Sequence, residues 1–128
     1  MKRIFIILGA SLSFLFICVV LGLLIWIGHD VKANIRIAKS QYPGKAEDAL
    51  IAYLMDSTHS PRDRTHLAVW TLGQIHSQKA LPVLKKLYKN EPEGTPCRHD
   101  TELCQYGIYK AIREIEGSGW SLYSGLNK

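Results

Sequence analysis

The densest chemistry in the sequence lies between Cys97 and Cys104, in the run CRHDTELC. Two thiols so close in the chain can form a disulfide or stay as separate thiols. With His99 and Asp100 they could also hold a metal ion. A disulfide would staple a Pro-rich loop to the helix that follows, and it would persist only in an oxidising compartment. It requires Cα atoms within about 7 Å, a condition set by the fold. The ligand types suit zinc, but the spacing matches no common paired-Cys or Cys/His framework. No metal and no cofactor is therefore expected. The third cysteine, Cys18, sits in an apolar run, which leaves an even pair for the rest of the chain.

A second group is Arg62, His66 and Trp70, four residues apart and so on one face of a helix. Trp and Arg are enriched at binding hot spots, which makes this face a candidate partner surface. The plainer alternative is an exposed stripe beside a half-covered tryptophan. His29, His59 and His76 are scattered through the chain. Glu47 and Asp48 are adjacent, so on a helix they diverge and cannot act as a facing pair. No nucleophile has a base and an orienting third group in view. The expectation is a protein that is not an enzyme and has no small-molecule substrate; the alternative is an envelope redox or metal-binding protein that uses Cys97 and Cys104.

The elements that would carry these groups divide sharply. From Ile4 to Ile27 there is no charged residue. A bilayer core takes about 20 apolar residues, so this run predicts a transmembrane signal anchor over residues 1–28. A cleaved leader would have a shorter apolar core ending at a small-x-small site, and none occurs before Gly28. Small residues at Gly9, Ser11, Ser13 and Gly22 leave a second use for the helix, as a packing face in a membrane complex. Lys2 and Arg3 stand on one flank and Lys32, Arg36 and Lys39 on the other. The short tail is expected to stay inside, which places the domain outside the cytoplasm.

Of the 16 Lys and Arg, all but Lys2 and Arg3 follow Gly28, as do all 11 acidic residues, leaving a mildly basic domain of about +3. That charge is too weak and scattered for nucleic acid. Lys79, Lys85, Lys86 and Lys89 gather on what should be the wet side of a helix, with anionic lipid headgroups as a secondary possibility.

Residues 29–44 read as a juxtamembrane stalk and linker, broken at Tyr42-Pro43-Gly44. A helical domain is expected over 45–119. Its first helix covers 45–56, with Ala46, Ala49, Leu50, Tyr53 and Leu54 on one face. Ser60-Pro61 starts the second, which runs to Ile75 with Leu67, Ala68, Thr71, Leu72 and Ile75 inside. Ala68 and Gly73 allow a neighbour to approach. The third helix begins near Ser77, with Pro82 in its first turn and Ala80, Val83, Leu84, Leu87 and Tyr88 buried. A fourth runs over 100–116 with Cys104 one turn inside it. The tail 120–128, with Trp120, Leu122, Tyr123 and Leu126, should cap the last helix. No strand pattern occurs, so the domain is all-α with about four helices.

Two of these helices repeat the pattern of two others. Ala46, Ala49, Leu50, Tyr53 and Leu54 align with Ala80, Val83, Leu84, Leu87 and Tyr88. Ala68, Thr71, Leu72 and Ile75 align with Ile108, Ala111, Ile112 and Ile115. Such internal periods mark architectures in which each helical pair buries its face on the next.

The segment 61–90 resembles one HEAT-type repeat, of the short kind found in phycobilisome-lyase-like proteins. The resemblance lies in Arg64, Leu67-Ala68, Leu72-Gly73-Gln74-Ile75 and Ala80-Leu81-Pro82-Val83-Leu84. Residues 100–116 depart from the pattern, with Cys104 where Arg64 stands and Gly107-Ile108 in place of Leu67-Ala68. The resemblance implies a short α-α superhelical scaffold that binds other proteins. It implies no lyase activity, because fold is not function. The expected protein is a single-pass membrane protein presenting a HEAT-like interaction module to a protein partner.

Overall fold

The computed structural model of the chain describes residues 2–91, 95–98, 100–117 and 123–127. Every regular element among them is helical. The chain divides into two compact units, Met1–Asp30 and Val31–Lys128. The longest helix, α1 (Lys2–Gln41), contributes to both.

In the first unit, α1 is long and apolar enough to cross a membrane, the one helix of this kind among the described residues. Ile4, Leu12, Phe14, Phe16, Ile25 and Trp26 are among its exposed large side chains, and Leu24 is half-buried, as suits a lipid-facing helix. Ser11 and Ser13 donate their hydroxyls to the carbonyls of Leu8 and Gly9 in the same helix. Their polarity is thus satisfied without a neighbour.

The second unit begins earlier than the reading of 29–44 as a stalk suggests. Val31 and Ala38 are fully buried, and Asn34 Nδ2 donates to Thr71 Oγ1 at 3.0 Å. From Val31 onward this stretch belongs to the domain core. The chain turns at Gly44, whose φ of 121° favours a residue without Cβ.

Helix α2 (Ala46–Met55) buries Ala46, Ala49, Leu50, Tyr53 and Leu54, the face its periodicity predicts. Its first-turn acids hold tertiary partners. Ser77, fully buried, donates to Glu47 at 2.8 Å, and Lys79 pairs with Asp48 at 2.5 Å. Ser60 then starts the next helical run by accepting from the Asp63 amide at 3.1 Å, with Pro61 in the first turn.

That run is not a uniform α-helix. It passes from α3 (Pro61–Asp63) into a π-helical turn, Arg64–Val69, and on into α4 (Trp70–Gln74). One bond to the preceding helix and one local bond accompany the wide turn. Arg64 Nε donates to the Leu54 carbonyl at 2.6 Å, and Thr65 Oγ1 donates to the Pro61 carbonyl at 2.8 Å. Ala68, Val69, Leu72 and Ile75 are fully buried, whereas Leu67 is only half-buried. The wide turn moves Leu67 off the inner stripe.

His76 ends the run at φ 51°, with its own amide bonded to the Gly73 carbonyl and that of Ser77 bonded to Leu72. These bonds form a Schellman-type stop. Helix α5 (Leu81–Leu87) is shorter than expected and buries Leu84 completely, with Pro82 in its first turn. Helix α6 (Gln105–Glu116) also starts later than expected. Both α4 and α5 pack against α6, and α2 packs against the π turn and α4.

Gln105 sits 6% exposed between α5 and α6. Its Oε1 accepts from the Lys89 amide at 2.8 Å, and its Nε2 donates to the Leu87 carbonyl at 3.4 Å. One buried amide therefore closes the end of α5 on the start of α6. In the tail, Trp120 and Leu122 lie outside the described residues. A 3-10 turn over Ser124–Asn127 lies against α2, where a cap over the last helix was expected.

The lysine group is not an open basic patch. Lys79 meets Asp48, Lys85 meets Glu116 at 2.5 Å, and Lys89 meets Glu102 at 2.9 Å. Hydrogen bonding to these carboxylates raises the pKa of Lys79 and Lys89 and lowers that of Glu102. Three of the four positive ends are thus matched locally, which weakens the case for lipid headgroups.

A polar and aromatic cluster joins three segments. Tyr42 donates its hydroxyl to Asp56, and its oxygen lies 3.1 Å from His59 Nε2. With the Tyr42 proton engaged on Asp56, the contact with His59 needs the proton on His59 Nε2. The His59 ring stacks on Tyr53 at 3.9 Å between centroids.

The Tyr42 bond, helped by the Thr58 amide, holds Asp56 down at about 2. The same bond, with burial, pushes Tyr42 up to about 12. A lowered carboxyl pKa gives stability that is present above the ordinary value of 3.8 and lost as pH falls toward 2. A raised phenol pKa gives stability that is present below 10.0 and lost as pH rises toward 12. Urea midpoints across pH should therefore show a plateau with a fall at each end, and Tyr42→Phe should flatten both falls. Unchanged flanks in that variant would refute the pairing.

Candidate functional site: a cysteine-lined cleft

The site is built where the π turn faces the start of α6. Thr65, 5% exposed, is the hinge of the arrangement. Its Oγ1 accepts from the Cys104 amide at 3.2 Å while donating back to Pro61. Cys104 thereby becomes the N-cap of α6 and does not lie one turn inside it. Its Sγ accepts from the Gly107 amide at 3.3 Å, in the role an oxygen side chain usually fills. Gly107 fits closely at this contact: a Cβ there would lie 3.1 Å from Thr65 Cγ2, and the threonine would have to give by a few tenths of an ångström.

Cys97 and Cys104 come within disulfide distance, with Cα atoms 4.7 Å apart. This lies inside the range a disulfide spans. Of the alternative metal set, His99 lies outside the described residues. Among the described residues, no three His, Cys, Asp or Glu side chains gather closely enough to hold a metal ion.

A cleft of about 250 Å³ opens beside the pair. Thr65, His66 and Trp70 form one wall. Tyr106, Gly107 and Lys110 of α6 form the other, and the two cysteines lie between them. Lys110 Nζ stands 5.8 Å from the centre of the Tyr106 ring. Tyr106 is an exposed large aromatic and Trp70 is half-buried, so the cleft offers apolar surface at an open mouth.

Two groups that were separate in the sequence thus meet in one place. His66 and Trp70 share the cleft with Cys97 and Cys104. Arg62 is exposed on α3 and is not among the lining residues. The sequence reading missed Tyr106 and Lys110, which fall on the outer face of α6 and carry no local signal beyond an i, i+4 spacing. No family model, curated protein or solved structure matches the chain, so the chemistry of the cleft is read from its own residues.

Proposed function

We propose that this chain is a single-pass membrane protein whose helical domain, stacked in a HEAT-like manner, captures a protein partner in the cysteine-lined cleft. The scaffold role is non-catalytic. The observation that carries the reading is Trp70, half-buried on the wall of an open cleft while its neighbour Val69 is fully buried in the core. A large aromatic at the edge of a concave site is the kind of residue that dominates binding energy. The anchoring part of the proposal is supported by the length and apolar character of α1. The mildly basic charge and matched lysines favour a protein over nucleic acid or an anionic surface.

The test is photo-crosslinking from position 106, on the exposed mouth of the cleft, in intact cells, comparing the native cleft with Trp70→Ala. Loss of a hot-spot tryptophan should weaken capture by about 30-fold, corresponding to roughly 2 kcal/mol. Helicity should be unchanged. A discrete adduct that survives Trp70→Ala at full yield would remove the cleft from the assignment.

A further inference from the structure

We infer that Cys97 and Cys104 form an asymmetric thiol–disulfide exchange site, with Cys97 as the sulfur attacked and Cys104 as the leaving thiolate. The substrate class is a cysteine thiol of a peptide segment, or a pair of such thiols, entering the cleft. This goes beyond the capture role, since it assigns a chemical step to the same walls.

The asymmetry comes from three observations. Cys104 is 4% exposed and Cys97 is half-buried, so an incoming sulfur has better access to Cys97. The Cys104 sulfur caps α6, which has 12 residues, and accepts the Gly107 amide. A thiolate at a helix N-terminus is stabilised by the free amides and the dipole, and a more stable thiolate leaves faster. Thr65 fixes the Cys104 backbone by accepting its amide, which keeps the leaving sulfur on the helix when the bond opens. The cleft alongside supplies the entry path, with Trp70 on one wall and Lys110 on the other.

The step balances with the oxidised pair and a substrate thiol. The substrate thiolate attacks Cys97 Sγ, the Cys97–Cys104 bond breaks, and its electron pair leaves on Cys104 Sγ. The product is a mixed disulfide between the substrate and Cys97. If the substrate has a second thiol, that thiolate attacks the substrate sulfur and releases Cys97 as a thiolate. The substrate dithiol loses two electrons, the cysteine pair gains them, and the two substrate protons pass to the cysteine thiolates or to water.

The experiment uses the oxidised full chain in detergent, treated with a synthetic peptide carrying one cysteine and quenched with iodoacetamide. Peptide mapping should place the peptide on Cys97 and the alkyl group on Cys104, by at least tenfold over the reverse. Equal or reversed placement would overturn the leaving-group assignment. Failure to form the disulfide under oxidised glutathione, or exchange that occurs only in denaturant, would overturn the site. Trp70→Ala separates this inference from the capture reading. If it slows exchange with the peptide but not with glutathione, both stand. If it slows neither, the exchange site stands and capture through Trp70 fails.

Discussion

Leu72→Ala should cost the helical domain about 3 kcal/mol and lower its melting temperature by roughly 15 °C. Leu72 is fully buried on α4, the helix that packs against both α2 and α6. Truncating it removes transfer energy and leaves a cavity that α2 and α6 can close only by moving together. A domain of this size holds about 5–15 kcal/mol in total. The variant should therefore fold at low temperature and lose near-UV dichroism early on heating. Far-UV dichroism is the weaker monitor, because the apolar part of α1 contributes helix signal of its own. Leu87→Ala, at a half-buried position on α5, should cost less. Equal losses at the two positions would show that α4 is not central to the core.

Gly73→Leu should be the other severe change. A Cβ at Gly73 would lie 2.6 Å from Glu114 Oε2 and 3.1 Å from the Ala111 Cα. The carboxylate can swing away, though it would give up the 3.2 Å bond it accepts from Gln74 Nε2. The Ala111 backbone cannot move without pushing α6 from α4. Overpacking of this kind costs typically about 1–3 kcal/mol. The same site as Ala already carries this Cβ and meets the same contacts, but it regains helix propensity worth roughly 0.5–1 kcal/mol, which offsets part of the cost. Thermal melts of the Gly, Ala and Leu series should thus fall in that order, with a small first step and a large second one. A flat series would mean that α4 and α6 do not approach closely at this point.

What the sequence reveals is set by how local the cause is. The buried face of α2 follows from a repeating apolar pattern, and each of its five core residues can be read directly. Ser60 and Pro61 mark a start because capping depends on neighbours in the chain. The π turn has no such mark. It is held by Arg64 reaching Leu54 and by Thr65 tied to Cys104, far along the chain. The same tie delays the start of α6, whose apolar spacing alone suggests a helix from about residue 100. The Tyr42–Asp56–His59 cluster draws on three segments and is invisible to any pattern within one. The cleft was half legible: the spacing shows His66 and Trp70 on one face, and the short interval shows the cysteine pair. Their meeting depends on how the π turn packs on α6, which no spacing encodes.

A π turn holds one residue more than the α-turns on either side of it. It therefore acts as an angular setting between α3 and α4. Each residue in an α-helix advances the chain by about 100°, so removing one residue from the turn would rotate α3 by that amount about its axis. Arg62, exposed on α3, would then face a different direction. A single-residue deletion would in this way re-aim an exposed guanidinium without substituting any residue of α3.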